Sequence, residues 1–312
     1  MDIFLKSISG ILVILGMILV GFVIGEKGWF DDKSRGLIAK LVTQIALPCY
    51  MLYTITQRFT AADLLKMLPA LRFPALSMVV LLGIATAVAK IFAVRQDRRG
   101  LFISMFFNSN TIFVGLPINQ ALFGDDSIPY VLIYYMCNTT FFWTLGTYLI
   151  QRDGEGEAQF DLKTSVKKVF SPPLMGFILG LVMVMLQIKL PAFLASDLQY
   201  LGNLTTPLSM IFIGLSVSHV GVKQLVLGKD QLLILLGRFL VAPLLMATIV
   251  YWAPLPSLMK QVFIIQSAMP VMTNAPVVAR LYGADSDYAA VMVTETTLAT
   301  MVVIPILMVL MA

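Results

Sequence analysis

Ten times along this chain, apolar residues run on for about 20 positions, the length of helix that crosses a bilayer core of about 30 Å. The stretches fall at 5–25, 37–56, 74–94, 101–122, 130–150, 172–188, 200–219, 232–252, 258–283 and 288–311, and cover roughly two-thirds of the 312 residues. The sequence therefore predicts an all-α polytopic membrane protein. Charged residues make up only 12% of the chain, against about 25% in a soluble domain. So little charge cannot cover the surface of a soluble two-domain enzyme.

The formal charge is +5, but the basic residues sit mostly in short connectors, where they set topology and carry no message about nucleic acid. With the amino terminus outside, 16 Lys and Arg fall on the inner side and 6 on the outer, Arg238 counted among the inner ones. Both termini are expected outside and the mid-chain linker in the cytoplasm of a cell whose cytoplasmic membrane holds the protein. Ile8 to Ile24 follows Asp2 and Lys6 without a small-residue cleavage site, so a retained helix is expected over a cleaved signal peptide. Cys49 and Cys137 lie inside spans and His219 is the sole histidine. Neither a disulfide framework nor a metal site is expected.

A single offset of 159 residues relates the two halves. It carries Pro48 onto Pro207, Pro117 onto Pro276, Gly124 onto Gly283, and Asp126-Ser127 onto Asp285-Ser286. Residues 1–150 then form one five-helix repeat, 151–171 a linker and 172–312 a second repeat. An odd number of spans per repeat makes their topologies inverted.

Inverted repeats with polar, proline-broken helices in matching places point to a secondary transporter's binding site. The fourth span holds Asn108, Ser109, Asn110 and Thr111, then Gly115 and Pro117; the ninth holds Gln266, Ser267, Thr273 and Asn274, with Pro276. Proline removes a backbone donor and clashes with the preceding turn, and the freed polar groups need partners away from water. Helices restarting at Pro117 and Pro276 would aim positive dipole ends at the bilayer centre and favour an anion. The blander reading is a kink, with Asn and Thr merely joining helices; two matched spans weigh against it. Glu295, mid-way along the tenth span, is the candidate for proton or cation coupling, beside Gln266; pairing with Arg238 or Arg280 is the structural alternative. Asn138 and its neighbours Thr139 and Thr140 would complete the site. Lys90 and Arg280 read as snorkelling side chains, and Pro48 and Pro207 as kinks. No GxxxxGK[ST] phosphate loop, HExxH or Ser/His/Asp set occurs, so no enzyme is expected.

The string NTIFVGLP (Asn110 to Pro117) followed by Gly124 resembles the first crossover of the auxin efflux carrier family, which includes plant PIN proteins and bacterial permeases for malonate, malate and related acids. The run from Gln266 through Pro270 to PVVARLYG, and Val303-Ile304-Pro305-Ile306, are similar to its carboxyl half. The resemblance spans essentially the whole chain. It implies a fold shared with bile acid/sodium symporters: spans 1, 2, 6 and 7 a scaffold that often dimerises, spans 3–5 and 8–10 a mobile transport domain around crossed, broken spans 4 and 9. Asn110 would contact the substrate carboxylate, and transport would be elevator-like. The expectation is a secondary carrier of small organic anions, mono- or dicarboxylates, with Asn108, Asn110, Thr111, Asn138, Thr273 and Asn274 at the site and Gly115, Pro117 and Pro276 shaping it. No cofactor is expected; coupling to Na+, H+ or neither stays open. A gated anion channel and a ligand-binding membrane sensor are the alternatives.

Overall fold

The computed structural model describes residues 2–154, 166, 169–220 and 228–311. Most of the linker expected at 151–171 therefore lies outside the described residues. Among the described residues the structure is helical throughout, apart from one isolated antiparallel bridge between Ser109 and Val271.

Helix α1 (Asp2–Glu26) leads to a turn in which Gly28 takes φ +69°, a left-handed conformation that glycine adopts without strain. The Asp31 carboxylate accepts from the Ser34 N–H at 2.7 Å and caps α2 (Asp32–Leu41). A π-turn at Val42–Ala46 then passes into α3 (Leu47–Arg58). The cause is Pro48, which has no N–H to return to the carbonyl four residues back; the Leu47 N–H instead reaches five residues back, to Val42. Thr60 and Asp63 cap each other's turn at the start of α4 (Ala61–Met67), inside what the hydropathy pattern left as a connector. Helix α5 (Arg72–Ile91) follows, then α6 (Arg99–Phe107), a break at 108–114, and α7 (Gly115–Phe123). Helix α8 (Ile128–Phe141) continues through a π-turn at Phe142–Gly146 into α9 (Thr147–Gln151).

The second half begins with α10 (Pro172–Met185). Helices α11 (Ala192–Asn203) and α12 (Thr205–Val220) are separated only by Leu204. The helix starts eight residues before the seventh apolar stretch because Pro191 sets its first turn, while Asp197 and Gln199 break the apolar run without breaking the helix. Helix α13 (Lys229–Leu236) passes through a π-turn at Gly237–Val241, again just ahead of a proline, into α14 (Ala242–Tyr251). Then come α15 (Ser257–Ser267), a break at 268–274, α16 (Ala275–Leu281) and α17 (Ser286–Met311).

Among the described residues, five continuous helices are long and apolar enough to cross a membrane: Lys33–Arg58, Ala61–Ile91, Ala192–His219, Lys229–Tyr251 and Ser286–Met311; the shorter apolar helices Leu12–Glu26 and Pro172–Met185 add to these. This is a polytopic helical membrane protein. The helices on either side of the two breaks have 9, 9, 11 and 7 residues. At 1.5 Å per residue each is roughly 10–17 Å long, about half a bilayer core.

The chain clusters into two compact units, one of residues 1–12, 70–166 and 220–312, the other of 13–69 and 167–219. In the second unit α1 and α12 meet backbone to backbone: a Cβ at Gly21 would stand 2.3 Å from the Ile211 carbonyl, and one at Gly214 2.1 Å from that of Ile18. Small residues let membrane helices gain close van der Waals contact where the hydrophobic effect gives them nothing. The first unit holds both broken helices around Phe102, Phe106, Phe107, Tyr134, Phe142 and Phe263, all fully buried.

Candidate functional site

The first unit is organised around the two breaks. Asn108 to Thr111 leave the helix because their short polar side chains offer the backbone local alternatives. Asn108 Nδ2 donates to the Ser104 carbonyl at 3.1 Å, and Asn110 Oδ1 accepts from the Phe113 N–H at 3.1 Å, restarting the chain toward α7. Helix α7 begins two residues before Pro117, and α16 begins one residue before Pro276. The segments cross at the Ser109–Val271 bridge, where the Asn110 N–H donates to the Pro270 carbonyl at 2.8 Å.

Side chains from neighbouring helices hold the exposed backbone of each break. Asn138 on α8 closes a two-way pair on Ser109: its Oδ1 accepts from the Ser109 N–H and its Nδ2 donates to the Ser109 carbonyl, both at 2.8 Å. Thr296 on α17 serves the other break, its Oγ1 accepting from the Val271 N–H at 3.0 Å while donating to the Met292 carbonyl. Gln266 Nε2 donates to the Thr111 carbonyl at 3.2 Å. Gly115 leaves room for it, since a Cβ there would lie 2.4 Å from Gln266 Oε1 and push that side chain aside.

Thus Asn108, Asn110, Thr111, Asn138, Gln266 and Gly115 come together in one buried cluster. Pro117 is buried and Pro276 half-buried in the first turns of their helices. Thr273 and Asn274 are half-exposed, and Asn274 makes no side-chain cap of α16. Glu295 is 7% exposed on α17, next to Thr294, Thr296 and Thr297, which are also buried. Three buried polar atoms of the cluster have no hydrogen-bond partner: Asn108 Oδ1, Asn110 Nδ2 and Gln266 Oε1. Leaving such an atom dry and unpaired costs about 1–3 kcal/mol, so the cluster is shaped to receive something polar. No group of three or more metal-binding side chains occurs among the described residues.

The charge pattern placed Arg238 with the topology charges, and the structure corrects this. Arg238 is fully buried in the π-turn between α13 and α14. Its Nε donates to the Met269 carbonyl at 3.0 Å, Nη1 to Phe106 at 3.1 Å, and Nη2 to Met269 at 2.9 Å and to Ser267. Gly237 clears the way, since a Cβ there would meet the Phe106 ring at 2.3 Å. Depth was the missed signal: an arginine well inside the Lys229–Tyr251 stretch is functional by default.

At one end of this unit the connectors are tied together. Arg98 pairs with Asp230 at 2.6 Å and stacks 4.6 Å above the Tyr288 ring. Lys229 Nζ donates to the Phe92 carbonyl. Asp153 caps α6 from outside its own segment, accepting from the Gly100 and Leu101 N–H groups at 2.9 and 2.6 Å. Burial pushes the Asp153 carboxyl above the usual carboxylate range, against the pull of those two donors. Nearby, the Arg95 guanidinium bonded to Asp97 holds that exposed carboxyl below it. Glycine is again needed for close approach, a Cβ at Gly154 falling 1.8 Å from the Tyr282 carbonyl.

Known membrane proteins resemble this chain over nearly its whole length. A family model described as membrane transport protein matches residues 7–308. An uncharacterized transporter from Methanocaldococcus jannaschii is 27% identical over 299 residues, covering 94% of this chain and 95% of its own. An uncharacterized transporter from Methanothermobacter thermautotrophicus is 26% identical over 312 residues, covering 97% of this chain and 98% of its own.

Proposed function

Because the chain belongs to the membrane transport protein family, that of the auxin efflux carriers and PIN-like permeases, we propose that it is a secondary carrier of small organic anions, mono- or dicarboxylates, working by elevator-type alternating access. The observation that carries this reading is Asn110 Nδ2, a buried amide donor without a partner at the crossing of two interrupted helices. A carboxylate oxygen is the complement of such a donor, and the amino end of α7 adds a favourable dipole. Asn108, Thr111 and Gln266 complete the wall, with Gly115, Pro117 and Pro276 giving it shape. Thr273 and Asn274, half-exposed in the second break, are the further substrate contacts of this reading. Asn138 contributes by holding Ser109. Glu295 and Gln266 are the residues through which a proton or cation would be coupled.

The reading of ten spans in two inverted repeats is supported by where the backbone turns left-handed. Of the five described residues with positive φ, Gly28 and Gln187, and Gly124 and Gly283, form pairs 159 residues apart, while Ala93 has no such mate. Pro48 and Pro207 each follow an interruption of the α-helix. The unit of 13–69 and 167–219 takes in most of span 1 with spans 2, 6 and 7, while the other takes in spans 3–5 and 8–10 together with residues 1–12. That is the division an elevator needs: a fixed scaffold, here proposed to form a homodimer, and a unit that moves. The tied connectors at one end of the moving unit belong to the side that the lysine and arginine count puts inside the cell, with both termini outside.

The test is uptake of radiolabelled malonate, malate and indole-3-acetate into proteoliposomes. The expected result is saturable flux with counterflow, abolished by Asn110→Ala without loss of folded protein. Unchanged uptake by that variant would remove Asn110 from the mechanism, and single-channel currents would replace the carrier with a channel.

A further inference from the structure

The carboxyl ends of both inward half-helices meet at one side chain. Phe106 lies in the last turn of α6, Ser267 is the last residue of α15 and Met269 follows it, and the carbonyls of all three accept from Arg238. Each helix end carries the equivalent of about −0.5 charge. Two of them converging make about one unit of negative charge in a fully buried place, which a single monovalent cation balances. Four donated bonds to three carbonyls from a planar fork also fix the separation of the two ends, something a point charge does poorly.

We propose that Arg238 is the resident cation of the crossover: tethered to the chain, it fills the place that the two converging carbonyl ends would otherwise offer to an alkali metal ion. It neutralises those ends, keeps the two half-helices in register with the Ser109–Val271 bridge, and leaves the amino end of α7 as the unopposed dipole at the site. The folded core then has no requirement for sodium or potassium at this point. The meaning of this for coupling rests on the carrier reading, but the physical claim concerns the core alone and is tested without substrate.

The experiment is thermal unfolding of purified protein in detergent, in sodium, potassium or choline chloride at equal ionic strength. Glu295→Gln, which removes the other candidate cation contact, is expected to melt at the same temperature in all three; a saturable rise with sodium or potassium in that variant would overturn the proposal. Arg238→Ala is expected to melt roughly 10 °C lower in choline chloride, and to recover several degrees with low-millimolar methylguanidinium, as a charge role demands and a packing role does not. Melting as wild type, or equal recovery with added choline, would overturn it. Where the alanine variant yields no folded protein, Arg238→Lys and Arg238→Gln decide. Lysine above glutamine supports the charge, while glutamine equal or higher refutes it. Absence of carboxylate transport would sink the carrier reading and leave these melts as they are.

Discussion

Replacing Asn138 by alanine removes the partner of the Ser109 N–H and one of the two donors to the Ser109 carbonyl, which keeps the Thr111 N–H at 3.0 Å. The Ser109 N–H and carbonyl are held by Asn138 at 2.8 Å each, and Ser109 is fully buried. The Ser109 N–H is left unsatisfied, which costs about 1–3 kcal/mol, and the bond to the carbonyl is lost besides. Hydrogen bonds between membrane helices measure only about 0.6 kcal/mol on average, because the freed groups find other partners. Ser109 lies in a break with no helix ladder to fall back on, which places Asn138→Ala well above that average, at about 2–3 kcal/mol. With about 2–4 °C per kcal/mol for a large chain, the midpoint should drop by roughly 4–12 °C. The assay is thermal unfolding in detergent, with and without added carboxylate. The drop should be the same in both, since Asn138 spends its amide on the backbone. A midpoint within a degree of wild type would refute the reasoning, and a drop seen only with carboxylate present would make Asn138 a ligand contact.

Glycine substitutions should separate the site from its support. Gly115→Ala pushes on the end of Gln266, a side chain that can rotate away at a cost of about 1–3 kcal/mol; uptake should fall several-fold while the fold persists, and unchanged uptake would show that Gln266 need not face Thr111. Gly154→Ala meets the Tyr282 backbone carbonyl at 1.8 Å, and folded yield should fall sharply; normal yield would mean the Gly154 turn shifts freely. For pH, the folded Asp153 carboxyl lies above its ordinary value, so the folded state binds more protons in the window between the two values. Its contribution to stability is therefore present below that window and lost as pH rises through the folded value. The melting temperature of Asp153→Asn should be flatter across mildly acidic pH than that of wild type, and a steeper profile would reverse the sign.

The membrane-spanning architecture is legible because lipid imposes a length and a composition that few other environments do. The polar run at Asn108 to Thr111 is legible for a related reason: four such residues in an apolar stretch must be answered by something. Arg238 reads in the sequence as an inner charge or a partner for Glu295; its carbonyl partners come from two helix ends 29–132 residues away and are not visible there. Thr296 escaped because a threonine in an apolar helix ordinarily bonds its own carbonyl four residues back, as Thr296 also does; its second bond, to Val271, depends on a segment 25 residues away. The helix at 192–203 shows the limit of hydropathy from the other direction, since its polar residues belong to a continuous helix that the apolar run alone would not contain.

The order in which the ribosome releases the chain gives the Asn138 clamp a further meaning. Ser109 and Asn138 leave the ribosome together, whereas Val271 and Pro270 follow some 160 residues later. At about 5–20 residues per second the first break waits roughly 10–30 s for the second. Throughout that delay a clamp from within the same half shields the Ser109 amide and carbonyl from bare hydrocarbon, while the Asn110 amide and the Thr111 carbonyl have to hold out for Pro270 and Gln266. Nascent chains stopped after the fifth span should accordingly insert and persist, and chains stopped there with alanine at 138 should be cleared by membrane proteases.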